Sequence, residues 1–138
     1  MYLIGFPLLV IPFAIYNMIA FLMPGLTWTA SVATIHLMSG QDWTVTPEDI
    51  LLAFSILLLA VEVIKATRMG IRGLMDHVLS MVLFIVMLVE FLLVMRAGTS
   101  TFFILMVISL VDVMAGFIIT ARTAQRDIQI ERDVAPSA

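Results

Sequence analysis

The sequence predicts an all-α polytopic membrane protein: a four-helix transmembrane bundle with one longer outer loop that can form a β-hairpin. Of its 138 residues, 62% are hydrophobic and 12% charged, and mean hydropathy is +1.15. Soluble domains carry about 45–50% apolar and about 25% charged residues. So few charges cannot cover so much apolar surface in water, and lipid is the solvent these proportions call for. The apolar residues also fall into four runs of about 17–22 residues, which as helices span about 26–33 Å and match a hydrocarbon core of about 30 Å.

The first run, Tyr2–Met23, has no charged side chain and contains Pro7 and Pro12. Proline removes an amide donor and crowds the preceding turn, so this helix is expected to be kinked or broken. A cleaved signal peptide is the competing reading, with Ser31-Val32-Ala33 as a loose cleavage signal. The missing basic n-region and the length of the run argue against it.

Residues 24–46, PGLTWTASVATIHLMSGQDWTVT, interrupt the pattern. Ser39-Gly40-Gln41-Asp42 is a turn signal, and short strands over Ser31–Met38 and Trp43–Thr46 are expected around it. An interfacial helix is the alternative. Trp28 and Trp43 are candidate interface anchors, because an indole buries its ring in the headgroup zone and keeps its N–H wet.

Thr46-Pro47-Glu48-Asp49 is a helix start: a capping hydroxyl, a proline at the first helical position and acids at the positive dipole end. The second helix follows over 47–67, the third over 74–95 and the fourth over 100–121. Residues 1–121 thus form the transmembrane domain, and 122–138 a polar tail whose first turns extend the fourth helix.

Lys65, Arg68, Arg72, Arg122, Arg126 and Arg132 fall on one side of this four-crossing layout, and Arg96 on the other. Such a bias assigns both termini to the cytoplasm, with a bacterial inner membrane the expected location. The net charge of −3 hides this asymmetry. The basic residues are too dispersed for a nucleic-acid partner. With no cysteine, thiol chemistry and disulfides are excluded.

No phosphate-binding, dinucleotide, zinc-protease or nucleophile-elbow motif is present, and no catalytic residue, metal or cofactor is assigned. The chemistry-bearing residues are Glu62, Glu90 and Asp112, acids inside apolar helices. Measured from the outer boundary, Glu90 is expected about 9 Å deep, Asp112 about 18 Å and Glu62 about 21 Å. Asn17, at the depth of Glu90, is a candidate partner for it. No Lys or Arg is placed deep enough to pair with Asp112, which favours a neutral carboxyl there. The bland reading has Glu62 snorkelling beside Lys65 while the other two acids bond to neighbouring helices.

Ser109, Asp112, Gly116 and Thr120 recur at helical spacing and form a small, polar packing stripe. Ser55, Glu62 and Ala66 form a weaker one, so the second and fourth helices are expected to meet each other or a partner. Asp76-His77 reads as the start of the third helix, and the eleven methionines as packing filler.

The functional expectation is a non-enzymatic accessory, assembly or scaffold subunit. Its partners are the lipid bilayer and a membrane protein or a second copy. The alternative is a small proton-linked transporter or channel acting as an oligomer, with Asp112 as the central titrating group and Glu90 and Glu62 at its mouths.

Overall fold

The computed structural model describes residues 6–68 and 71–134. Its elements are α1 (Val10–Leu22), β1 (Ala33–His36), β2 (Asp42–Val45), α2 (Pro47–Arg68), α3 (Ile71–Leu93), a 3-10 turn (Met95–Ala97) and α4 (Ser100–Val134). Three helices, α2, α3 and α4, are long and apolar enough to cross a membrane.

The first helix begins at Val10, not at Tyr2 as expected; residues 1–5 lie outside the described residues. Pro7 belongs to the turn before it, where its carbonyl accepts the Val10 N–H. Pro12 falls in the first helical turn, where amides have no intrahelical acceptor, so it costs no ladder bond. The remaining 13 residues rise about 20 Å. Together with the preceding turn they still run between two levels of the bundle. At one end the Leu8 N–H donates to Glu62 Oε1 (2.8 Å); at the other, Arg96 Nη1 donates to the Ala20 carbonyl (2.8 Å). That second bond satisfies one of the four carbonyls a helix leaves free at its C-terminus.

The expected hairpin is present and antiparallel, shorter than the sequence suggested, with Ala33 opposite Val45 and His36 opposite Asp42. Gly40 carries the positive φ of its turn (90°), a conformation without penalty for glycine. His36 Nδ1 and Asp42 Oδ1 close the outermost pair at 2.6 Å. Both strands lie on the surface.

Helix α2 starts at Pro47 as the sequence implies, under a reciprocal cap. The Asp49 N–H donates to Thr46 Oγ1 (3.2 Å) and the Thr46 N–H to Asp49 Oδ2 (3.0 Å). Thr99 caps α4 through its hydroxyl, which accepts the Phe102 N–H (3.2 Å).

Two boundaries differ from expectation. Helix α3 starts at Ile71, not near Leu74. Helix α4 continues to Val134, so much of the segment read as a tail is helix; its residues combine good helix formers with alternating charge. The whole helix has 35 residues and is about 52 Å long, longer than an apolar span requires. Its last turns are exposed and meet no other element among the described residues.

The core lies between α4, α2 and α3. Phe102 of α4 is its centre, in edge contact with Tyr16 (4.9 Å between ring centroids), stacked with Phe91 (6.2 Å) and tilted against Phe13 (6.3 Å). Leu51, Leu83, Met87 and Leu105 continue this core. Trp28, expected as an interface anchor, is half-buried and stacks on Tyr16 at 4.8 Å, because the loop after α1 folds back over the helix ends. Trp43 is exposed on the hairpin.

Candidate functional site

Buried polar groups collect at two levels of the bundle, one at the hairpin end and one at the end where α2 meets α3. Between them lies the core just described, with the buried hydroxyls of Ser55 and Ser109 within it.

The hairpin-end level has two parts. Tyr16, buried in α1, donates to the Arg96 carbonyl (2.9 Å) and accepts from Thr99 Oγ1 (2.7 Å). The Arg96 guanidinium, besides bonding Ala20, lies 5.6 Å from the centre of the Phe21 ring. Asn17 Nδ2 donates to Glu90 Oε2 at 3.4 Å, a long bond, and to the Phe13 carbonyl at 3.0 Å. The structure therefore places together the pair that the depth count had matched.

At the other end, α2, α3 and α4 bring three carboxyls and an amine together. Glu62 (2% exposed) accepts from the Leu8 N–H and from Lys65 Nζ (3.1 Å). Lys65 also donates to the Phe6 carbonyl (3.1 Å) and lies 3.8 Å from Asp76 Oδ2. Asp76 is 4% exposed and Asp112 7%. Asp112 faces Ser80 and lies within electrostatic range of Glu62, Asp76 and Lys65. Asp76 Oδ1 and Asp112 Oδ2 are buried and accept no hydrogen bond among the described residues.

Two expectations are corrected here, on Glu62 and on Asp76. Glu62 does not snorkel; it pairs with Lys65 as expected, but inside the bundle, because Leu8 and Phe6 close over the pair. Asp112 forms no ion pair with Lys or Arg among the described residues, in keeping with the depth count, although Lys65 lies within electrostatic range of it. Asp76 does not open α3, since the helix begins five residues earlier; it is part of the buried cluster.

The stripe Ser109, Asp112, Gly116 and Thr120 faces inward, its first three residues buried and Thr120 half-buried. It is used within the chain. A Cβ built on Gly116 would lie 2.6 Å from His77 Nδ1 and 3.3 Å from His77 Cε1, so glycine here permits the α3–α4 approach. Gly116→Leu is accordingly expected to destabilise the chain itself by about 1–3 kcal/mol through overpacking. Thermal unfolding of the detergent-solubilised protein measures this, and an unchanged midpoint would mean that His77 moves aside freely. Ser55, Glu62 and Ala66 divide: Ser55 and Glu62 are buried, Ala66 only partly.

Sequence reasoning missed Asp76, Lys65 and Ser80 as members of the site. A signal was available: Asp76, Ser80, Leu83 and Met87 are spaced by four, three and four, one face of a helix, and all four are buried.

Among the described residues no group of His, Cys, Asp and Glu is arranged to hold a metal ion. The arrangement can do one thing chemically: exchange protons among carboxyls around a lysine. No protein-family model matches the chain, and comparison with curated proteins and with solved structures gives no match.

Proposed function

We propose that the chain is an integral membrane protein that crosses the bilayer four times with both ends on the cytoplasmic side. In this reading it acts as a non-enzymatic accessory, assembly or scaffold subunit. The lipid-facing surface is supplied by side chains the bundle leaves outside, among them Leu57, Leu92, Leu93 and Phe117. The basic residues flank the end where α2 meets α3 and the extension of α4, which is the asymmetry that orients membrane helices.

The observation that carries the scaffold reading is the α4 extension. The polar stripe that could have met a partner inside the membrane is occupied by α2 and α3. What remains without a packing surface among the described residues is the helix from Ala124 to Val134, which is exposed, with Ile128, Ile130 and Val134 among its charges. A short isolated helix has little stability in water by itself, and a membrane protein partner or a second copy would give it a surface to pack on.

A transporter is the second reading, supported by the buried carboxyls. Leu51, Leu83, Met87 and Leu105 lie between the two polar levels, with buried Ser55 and Ser109 among them; in this reading transport is by an oligomer.

Mild-detergent purification separates these readings. The double substitution Ile128→Asp with Ile130→Asp is expected to reduce recovery of the co-purifying membrane protein, or of the second copy, at least tenfold, while the chain stays in the membrane fraction. Unchanged recovery, together with proton flux in liposomes that Asp112→Asn abolishes, would favour the transporter.

A further inference from the structure

We propose that the cluster formed by Glu62, Lys65, Asp76 and Asp112 is a proton-binding site, with Asp112 as the group that takes up the proton. The proposal does not depend on the scaffold reading.

Charge is the first reason. Three carboxyls meet here, and among the described residues Lys65 is the one basic side chain paired with them. Its short contact is with Glu62 (3.1 Å) and its longer one with Asp76 (3.8 Å). With every carboxyl ionised the group would carry two net negative charges in a space from which water is largely excluded. Buried charge without a counter-charge is costly, and taking up a proton is the usual release. Acid content alone would not decide which group takes it.

Geometry does. Glu62 is satisfied as an anion, with Oε1 accepting from a backbone amide and from the ammonium. Asp76 has the ammonium near one oxygen. Asp112 has no direct ion pair, is 7% exposed, and its buried Oδ2 accepts nothing among the described residues. Protonation turns an oxygen that lacks a donor into a hydroxyl that can donate. Asp76 Oδ1, also without a donor, is an acceptor of the right kind in the same cluster. The step balances simply: hydronium from the water at this end gives its proton to the Asp112 carboxylate, an O–H bond forms, and water is released.

Among the described residues the groups facing this site are, by element, Glu62 and Lys65 of α2, Asp76 and Ser80 of α3, and Asp112 of α4, with the Leu8 amide and Phe6 carbonyl before α1. His77, next along α3, lies against Gly116, its Nδ1 buried without a hydrogen bond. Because the four groups come from three helices, proton loss would set like charges against each other across all three packing contacts. The inner end of the bundle is therefore expected to loosen as pH rises.

Infrared difference spectroscopy on the full chain in liposomes, titrated from acidic to alkaline pH, tests this. Expected is a protonated-carboxyl C=O band at mildly acidic pH, lost as pH rises, that disappears in Asp112→Asn with helix content retained and that Glu90→Gln leaves in place. Lys65→Met, which removes the cation, should increase the band, because a further carboxyl must then take a proton. Absence of any protonated-carboxyl band in the unmodified chain at mildly acidic pH overturns the proposal without recourse to a variant. A band that survives Asp112→Asn, or that Lys65→Met leaves unchanged, overturns it as well.

Discussion

Glu62→Ala is expected to destabilise the folded chain by about 3 kcal/mol, the low end of what breaking a buried ion pair costs. The substitution leaves the Leu8 amide without its acceptor and takes from Lys65 its short contact. Lys65 keeps Asp76 at 3.8 Å and the Phe6 carbonyl, which is why the low end applies. Glu62→Gln keeps an acceptor for the Leu8 amide and fills the same volume, so its cost should be less than half as large. Comparing the two variants by denaturant or thermal unfolding in detergent isolates the charge. Equal losses would contradict this, because they would assign the whole effect to the charge and none to the acceptor or the filled volume.

The second large effect is expected at Phe102. Its side chain is fully buried and touches two aromatic rings of α1, Phe13 and Tyr16, and one of α3, Phe91. If lipid is the alternative environment, little hydrophobic transfer energy is at stake, and the loss is one of contacts and cavity. Phe102→Ala should therefore cost about 3 kcal/mol, the lower limit for truncating a buried phenylalanine. Tyr16 would lose its edge contact with the ring, and its near-ultraviolet circular dichroism should change with that of Trp28, on which it stacks. A loss below about 1 kcal/mol, within the range of an ordinary surface substitution, would show that the aromatic cluster is not the centre of the fold.

The helices were legible because their signals are local. Thr46, Pro47 and Asp49 specify the start of α2 within four residues, and Thr99 does the same for α4. Gly40 marked the hairpin turn. The bounds of α1 and α4 were not legible in the same way. Pro7 and Pro12 each fit a break, and only the fold shows that the helix begins between them. Beyond Ala121 the apolar pattern stops while helix-forming residues continue, so hydropathy ended the element before propensity did.

The site was half legible. Glu62, Glu90 and Asp112 stood out because acids are rare in apolar runs, and the equal depths of Asn17 and Glu90 follow from the rise of a helix. Lys65 and Asp76 did not, because both lie close to a helix end, where charge is ordinary. Their inward direction depends on how the turn around Pro7 covers them, a long-range feature that spacing along one helix does not contain.

The central proposal is that the chain threads the bilayer four times, with the hairpin on one side and the α4 extension on the other. The absence of cysteine makes a direct measurement possible: Met38→Cys in the hairpin turn and Gln129→Cys in α4, each labelled with a membrane-impermeant maleimide on intact cells and on inverted vesicles. Both positions are exposed. Met38→Cys should react on intact cells only, and Gln129→Cys on inverted vesicles only. Labelling of both positions from the same face, or recovery of the chain in the aqueous fraction, would contradict the proposed threading.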